Sequence, residues 1–293
     1  MAAAPQKSFP RLIGFVGLGK MGMGMARNLL SAGYDVLAYD VVPQILDQFV
    51  SFGGRKALNP AQIGAECQSV MVMVVNGAQV DTVINGPEGL MQTMTSGTVM
   101  VCSTLTLNDF REIVRRSSCK GVAVIDTPVS GGVGGAEKAT LSVLCGGEKA
   151  VLDSQMPILK VIGKQIHHLG PAGSGLVGKL ANNLIIGIER IAISEAMALA
   201  KKAGVPLDVL YEAMKGSSAD SFVLRTMEGP ILTGKYPNVP SHAIKDIRAA
   251  LESAQSVKQA MPLTSLAAEV YQLADEKLGG LKHSNEILRF FLE

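Results

Sequence analysis

The chain has 293 residues, of which 47% are apolar and 18% charged, with a formal net charge of +2. This is the composition of a globular protein, far from that of a disordered chain, and its scattered basic residues form no aromatic-interleaved stripe of the kind that binds nucleic acid. No apolar run reaches the roughly 18 residues that a membrane-spanning helix needs, so no membrane partner is expected. The opening MAAAPQKSFPR lacks the apolar region of a secretory signal and is short for an arginine-rich transit peptide. A cytoplasmic location is the expectation, and a processed mitochondrial form would show the same start.

LIGFVGL reads as a buried strand, and MGMGMARNLLSAG as a helix ending at Gly33. YDVLAYD is a second strand, followed by VPQILDQFVSFGG, a helix closed by glycine. SVMVMVV and TVMVCST are further strands; FREIVRRSSCKG is a helix; VAVIDTPVS and LSVLCGG are strands again. Strands separated by helical stretches imply an α/β fold of Rossmann type, with a mostly parallel sheet covered on both faces. The character changes near Gly170 and Pro171. One long helical pattern runs from Gly175 to about Ala203, and shorter ones follow, punctuated by Pro206, Pro230, Pro237, Pro240 and Pro262. We therefore expect a dinucleotide-binding domain over 1–171 and an all-helical substrate and dimerisation domain over 172–293, joined through the long helix. That helix would begin beside the carboxyl edge of the sheet, where open α/β folds bind ligands.

The first strand runs into GLGKMG, residues Gly17, Leu18, Gly19, Lys20, Met21 and Gly22. Gly17 permits a tight turn, Gly19 leaves room for a pyrophosphate, and Gly22 lets helix and strand pack closely. The helix that follows presents free amides and the positive end of its dipole to phosphate. The second strand ends in Asp40, at the interval expected of an acid that binds the adenosine ribose. Val41 and Val42 follow it rather than arginine, and a carboxylate there would repel a 2′-phosphate, so NAD is favoured over NADP. Val75 and Asn76, at the exit of SVMVMVV, join the candidate cofactor contacts.

DTPVSGGVGGAEKATL holds a second glycine cluster, with Asp126 ending a strand and Ser130, Gly131 and Gly132 after it. So many glycines fit a site where backbone amides face an anion, and they fit a plain loop equally well. VGKLANNLI sets three polar groups on a largely apolar helix: Asn183 lies roughly 40° round from Lys179 and Asn182 about 60° to the other side. Patch geometry alone allows a solvent-facing stripe, continued by Glu189 and Arg190, or a site. Beyond Arg190 the same face carries Ile193 and Met197, so the polar patch is local. His242 and Lys245, three apart, can share a helix face. The four cysteines, Cys67, Cys102, Cys119 and Cys145, have no metal-ligand spacing, so free thiols in a reducing compartment and no metal site are expected.

Four segments together resemble the 3-hydroxyisobutyrate dehydrogenase, or β-hydroxyacid dehydrogenase, family: FVGLGKMGMGMARNLLSAGYDV, DTPVSGGVGGAEKATL, GSGLVGKLANN and the IKD of Ile244–Asp246. The resemblance implies NAD(P)-dependent oxidation of a 3-hydroxy acid, or reduction of the matching semialdehyde or keto acid, by a homodimer or homotetramer. It implies Lys179 as catalytic acid/base and Asn183 as the residue that positions substrate and lysine. It implies Ser130, Gly131 and Gly132 as the holders of the substrate carboxylate, Lys245 near cofactor and substrate, and Ser103 and Thr104 in a turn beside the nicotinamide. Asn182 is open between substrate contact, interdomain hydrogen bond and surface residue; His242 between substrate contact and surface group. The chain departs from the family pattern at Ala139, where a glycine is usual, so the local backbone is expected to differ slightly. It departs also at Cys102, where an acid is common, and at His242, where a bulky apolar residue is usual. NGAQ after SVMVMVV looks more like the branch acting on sugar acids such as threonate. Competing readings are a sugar-acid dehydrogenase, a semialdehyde or imine reductase, and a non-catalytic dinucleotide-binding interaction protein. A 6-phosphogluconate-type enzyme would need a larger helical domain and a basic phosphate pocket.

Overall fold

The computed structural model describes residues 11–117, 121–237 and 243–293. The first strand, β1 (Leu12–Val16), is buried along almost its whole length because both faces of its sheet are covered. The chain continues through α1 (Lys20–Ser31), β2 (Asp35–Tyr39), α2 (Pro43–Ser51), β3 (Arg55–Lys56), α3 (Pro60–Glu66), β4 (Ser69–Val72) and α4 (Gly77–Asn85). Then come β5 (Gly97–Val101), α5 (Leu107–Ser117), β6 (Val122–Asp126), β7 (Val129–Ser130), α6 (Gly132–Glu137), β8 (Leu141–Gly146), α7 (Lys149–Ile162) and β9 (Gly163–Gly170).

Strands β3, β2, β1, β4, β5 and β6 lie side by side in that order and all run parallel. Antiparallel β8 meets β6 at Gly146 opposite Asp126 and pairs with β7, while β9 runs parallel to β8. Alternate side chains feed two apolar clusters. Ile13, Phe15, Met71 and Met100 pack with residues of α1, α2 and α7. Val70, Val72, Val99 and Val101 pack with residues of α3, α4 and α5. The mostly parallel, doubly covered sheet expected from the sequence is present.

Several elements differ in detail from the sequence pattern. VAVIDTPVS divides into β6 and β7 at Thr127-Pro128. Helix α7 carries Pro157 in its interior, which normally breaks a helix and hides this one from sequence reading. Its buried Leu152, Ile158, Leu159 and Ile162 hold it against the sheet.

Helix α8 (Ser174–Lys202) has 29 residues, and the division between two compact units, Met1–Lys179 and Leu180–Glu293, falls within it. The second unit is helical: the rest of α8, then α9 (Leu207–Lys215), α10 (Phe222–Thr226), α11 (Glu228–Thr233), α12 (Ala243–Ser256), α13 (Pro262–Leu278) and α14 (Ile287–Leu292). Apolar clusters line α8, one around Ile193, Met197, Tyr211 and Leu224, another around Ile191, Ile247, Tyr271 and Ile287, and a smaller one of Leu180, Ala249 and Ala250. Arg190 does not continue a solvent-facing stripe. It is half-buried and donates from Nε to Oδ1 of Asn285 at 2.9 Å.

The start of α8 is anchored by Asp126, whose side chain is fully buried at the end of β6. Its Oδ1 accepts from the Gly173 amide at 2.6 Å and its Oδ2 from the Leu176 amide at 2.8 Å. These are donors that the first turn of a helix leaves without an internal partner, at the positive end of the dipole. The approach needs glycine on both sides: a Cβ on Gly146 would lie 2.5 Å from Oδ1, and one on Gly175 2.9 Å from Oδ2. Burial pushes the Asp126 carboxyl up to about 6, against the opposing effect of the amides. The native state therefore keeps this proton to higher pH than the unfolded chain, so stability from this group is full below about pH 4 and falls as pH rises to about 6. The neighbouring Cys145 thiol, pushed up to about 12, stays neutral throughout this range. We predict that Asp126→Asn removes this component. Urea unfolding between pH 4.5 and 6.5 will show wild-type stability minus variant stability declining with pH, by up to roughly 3 kcal/mol; parallel curves would contradict the assignment.

Candidate active site

Strands β1, β2, β4, β5 and β6 run parallel, so their carboxyl ends share one edge of the sheet. Backbone bonds keep the loops there in register: Gly17 donates to Tyr39, Met73 to Val16, Cys102 to Val72 and Thr127 to Val101, all at 2.8–2.9 Å. The chain leaves β1 between β2 and β4, the point at which strand order reverses and a crevice opens.

The loop at that point is GLGKMG. Gly17 has φ 93, and a Cβ there would collide with the Met73 carbonyl oxygen. A Cβ on Gly22 would collide with the carbonyl oxygen of Gly17, whereas one on Gly19 would meet only open space. Leu18 is buried, Lys20 exposed and Met21 half-buried on the first turn of α1. The Asp40 carboxylate accepts the Leu18 amide on Oδ2 at 2.6 Å and the Val42 amide on Oδ1 at 2.9 Å. It thus ties the loop after β1 to the end of β2, and each oxygen can accept a further bond.

Beside them lies a pocket of about 700 Å³, lined by Gly17, Gly19, Asp40, Val42, Val75 and, from α3 to α4 and beyond, Pro60, Thr82 and Glu88. The size suits a nucleotide. Its lining, among the described residues, includes the carboxylates of Asp40 and Glu88 and no lysine or arginine. These features fit a dinucleotide: an open glycine, a cradle closed to Cβ atoms, an acid at the strand end and an apolar pocket.

The other candidates have structural work of their own. Asn76 caps α4, its Oδ1 accepting the Gln79 amide at 2.9 Å, while Gln79 Oε1 accepts the Val75 amide at 2.9 Å. The buried Ser103 hydroxyl donates to the Val74 carbonyl at 2.7 Å and accepts the Val74 amide at 2.8 Å, stapling the loops after β4 and β5. Thr104 beside it is half-buried. Gln79, Thr82 and Glu88 were not singled out in the sequence, because their place at the pocket depends on how α4 packs. The three described cysteines, Cys67, Cys102 and Cys145, are buried and free, with thiols pushed up to about 12 by desolvation. They carry no thiolate chemistry; Cys119 lies outside the described residues.

Ser130 pairs with Ser142 across β7 and β8. Gly131 and Gly132 both take positive φ, at 132 and 63. The glycine cluster then forms helix α6 rather than a plain loop. Ala139 has φ 55, and the Thr140 amide reaches back to the Gly135 carbonyl at 2.9 Å. This is a helix end closed through the left-handed region, where glycine is preferred. The alanine therefore holds a backbone conformation that glycine adopts more readily.

Lys179 lies half-buried in the second turn of α8. One turn on, the Asn183 amide donates to Asp246 Oδ2 at 2.7 Å and its Oδ1 accepts from Asn182 at 3.1 Å. Asn182 thus bonds its neighbour rather than standing alone. Lys245 is half-buried; burial pushes its ammonium below the ordinary lysine value, and the adjacent Asp246 carboxylate opposes this. His242 lies outside the described residues.

Comparison with known proteins matches the chain to two family models. Residues 12–170 match the NAD binding domain of 6-phosphogluconate dehydrogenase, and residues 173–291 match the NAD-binding domain of NADP-dependent 3-hydroxyisobutyrate dehydrogenase. A 3-hydroxyisobutyrate dehydrogenase of Pseudomonas aeruginosa is 34% identical over 93% of this chain and 96% of its own length. The chain belongs to the 3-hydroxyisobutyrate dehydrogenase family. An L-threonate dehydrogenase of Cupriavidus necator is 32% identical over 96% of both chains. A Mycobacterium tuberculosis 3-hydroxyisobutyrate dehydrogenase solved with L-serine superposes with a TM-score of 0.87 at 27% identity, over 96% of this chain and 99% of the other. As a member of this family the protein is an NAD(P)-dependent oxidoreductase. Among the described residues, no helix is long and apolar enough to cross a membrane.

Ala139 offers a direct test of the backbone at this site. Ala139→Gly should stabilise the protein by roughly 0.5–1 kcal/mol, because relief of the left-handed strain outweighs the added freedom of the unfolded chain. Chemical denaturation will measure it, and a loss of stability would contradict the conformation described.

Proposed function

We propose that the protein oxidises a small 3-hydroxy acid with NAD, or reduces the corresponding semialdehyde or keto acid, and that Lys179 handles the proton. The observation that carries this reading is α8 itself. Its first turn is fastened by Asp126 to the carboxyl end of β6, on the edge that also bears the dinucleotide loop, and Lys179 stands one turn further along.

Bound NAD supplies the hydride acceptor; the protein's own residues orient the substrate and move one proton. Lys179 takes the hydroxyl proton in oxidation and returns it in reduction. Asn183, steadied by Asp246 on one side and Asn182 on the other, offers its second N–H to the substrate oxygen. Ser130 and the amides of Gly131 and Gly132 hold the carboxylate, the two glycines supplying exposed backbone at positive φ. Gly17 to Gly22, Asp40, Val75, Asn76, Ser103, Thr104 and Lys245 serve the dinucleotide, Asn76 and Ser103 by shaping its loops. NAD is preferred to NADP, because Asp40 and Glu88 line the pocket and no described cation there would meet a 2′-phosphate.

The acids named for the relatives, 3-hydroxyisobutyrate, L-threonate and L-serine, each carry a carboxylate and a hydroxyl on C3. That common core supports the substrate class and leaves the side chain open. The test is a reduction screen with NAD and NADP over 3-hydroxyisobutyrate, 3-hydroxypropionate, glycerate, threonate, serine and phenylserine. We expect turnover of at least one acid with kcat/KM higher for NAD; equal or better use of NADP would overturn the cofactor assignment. Lys179→Ala should lower kcat by about a hundredfold or more while NADH binding, followed by cofactor fluorescence, is retained. Near wild-type turnover at saturating acid would remove Lys179 from the chemistry.

Assembly as a homodimer or homotetramer belongs to the same reading. Exposed Leu263, Leu266 and Leu273 fall on one stripe of α13, with Val270 half-buried between them. Sedimentation equilibrium should give an assembly larger than a monomer, and Leu266→Glu with Leu273→Glu should lower its mass; a wild-type monomer would end this part of the proposal.

A further inference from the structure

Helix α1 does two things at once. Its first turn closes on the dinucleotide loop through Gly22. The next two turns form a seat for α6. A Cβ on Gly24 would lie only 3.0 Å from the Ala136 carbonyl carbon and the Glu137 nitrogen, so backbone packs against backbone there. Four residues on, and therefore on the same face, Asn28 donates from Nδ2 to the Ala136 carbonyl at 2.7 Å.

That carbonyl is one of those a helix end leaves without an internal partner. Six residues are too few for α6 to be stable by itself, so its position is decided by what it docks on. The segment leading into it cannot decide either, since Gly131 and Gly132 are the least constrained of residues. Pairing with Ser142 on β8 fixes Ser130 itself, so Gly24 and Asn28 set how far Gly131 and Gly132, with the amides they present, stand from the dinucleotide loop, with the rigid α1 as the spacer.

We infer that Asn28 is a positioning residue for the substrate: its bond to Ala136, over the close contact at Gly24, places the turn that holds the hydroxy-acid carboxylate relative to the cofactor. This rests on the proposed role of Ser130 to Gly132. Asn28 acts through Ala136 rather than by touching substrate or cofactor, so its removal should be felt in the acid and hardly in the dinucleotide.

The experiment measures NAD reduction with 3-hydroxypropionate as the probe acid, and NADH affinity by cofactor fluorescence, in wild type, Asn28→Asp, Asn28→Gln, Gly24→Ala and Ser130→Ala. Asn28→Asp keeps shape and volume but sets an acceptor against a carbonyl. It should raise the KM for the acid about tenfold while NADH affinity changes less than twofold. Asn28→Gln, which keeps the donor, should recover most of the loss, and Gly24→Ala should shift KM in the same direction as Asn28→Asp. An unchanged KM in Asn28→Asp overturns the inference, as does an equal loss of NADH affinity, which would mean that α1 as a whole is damaged. If Ser130→Ala raises KM and Asn28→Asp does not, the positioning role alone fails. If Ser130→Ala leaves KM unchanged, the carboxylate reading fails and takes this inference with it.

Discussion

The contact on which the rest depends is the buried carboxylate of Asp126 on the first amides of α8. A helix of 29 residues starts at a defined point because a charge at the end of β6 accepts the donors that its own first turn cannot satisfy. Without that carboxylate, the amides of Gly173 and Leu176 would be buried and unpaired, at a cost of about 1–3 kcal/mol each. The carboxylate in turn is tolerable in the interior only because those amides and the helix dipole oppose its desolvation. Lys179 follows from this start by helical spacing, so the anchor fixes the position of the group we propose for proton transfer.

A second constraint recurs wherever the site is built: backbone packs on backbone where a side chain is missing. Gly17 and Gly22 close the turn between β1 and α1, Gly146 and Gly175 admit Asp126, and Gly24 admits α6. Each contact sets a distance that no flexible side chain could set so narrowly. Glycine at such places costs backbone entropy, and the neighbouring apolar clusters on both faces of the sheet offset it.

Polar side chains near the site mostly hold other parts of it. Asp40 joins two loops, Ser103 staples two more and Asn76 caps α4. Preorganisation of this kind is what a hydride-transfer enzyme needs, since the cofactor supplies the chemistry and the protein supplies orientation.

The sequence by itself determined the sheet, the glycine loop, Asp40 and the long helix with its lysine and asparagines, because each rests on local spacing: apolar runs, glycine intervals, helical periodicity. The divided strand at Thr127, the helix through Pro157 and the helical state of the glycine cluster were not legible, since tertiary packing overrides local propensity there. The left-handed conformation of Ala139 was not legible either, since the helix end it closes imposes it. Only the tertiary structure decided what Asp126, Asn28 and Asp246 do. Their partners lie 50, 108 and 63 residues away along the chain, a separation that no periodicity in the sequence encodes.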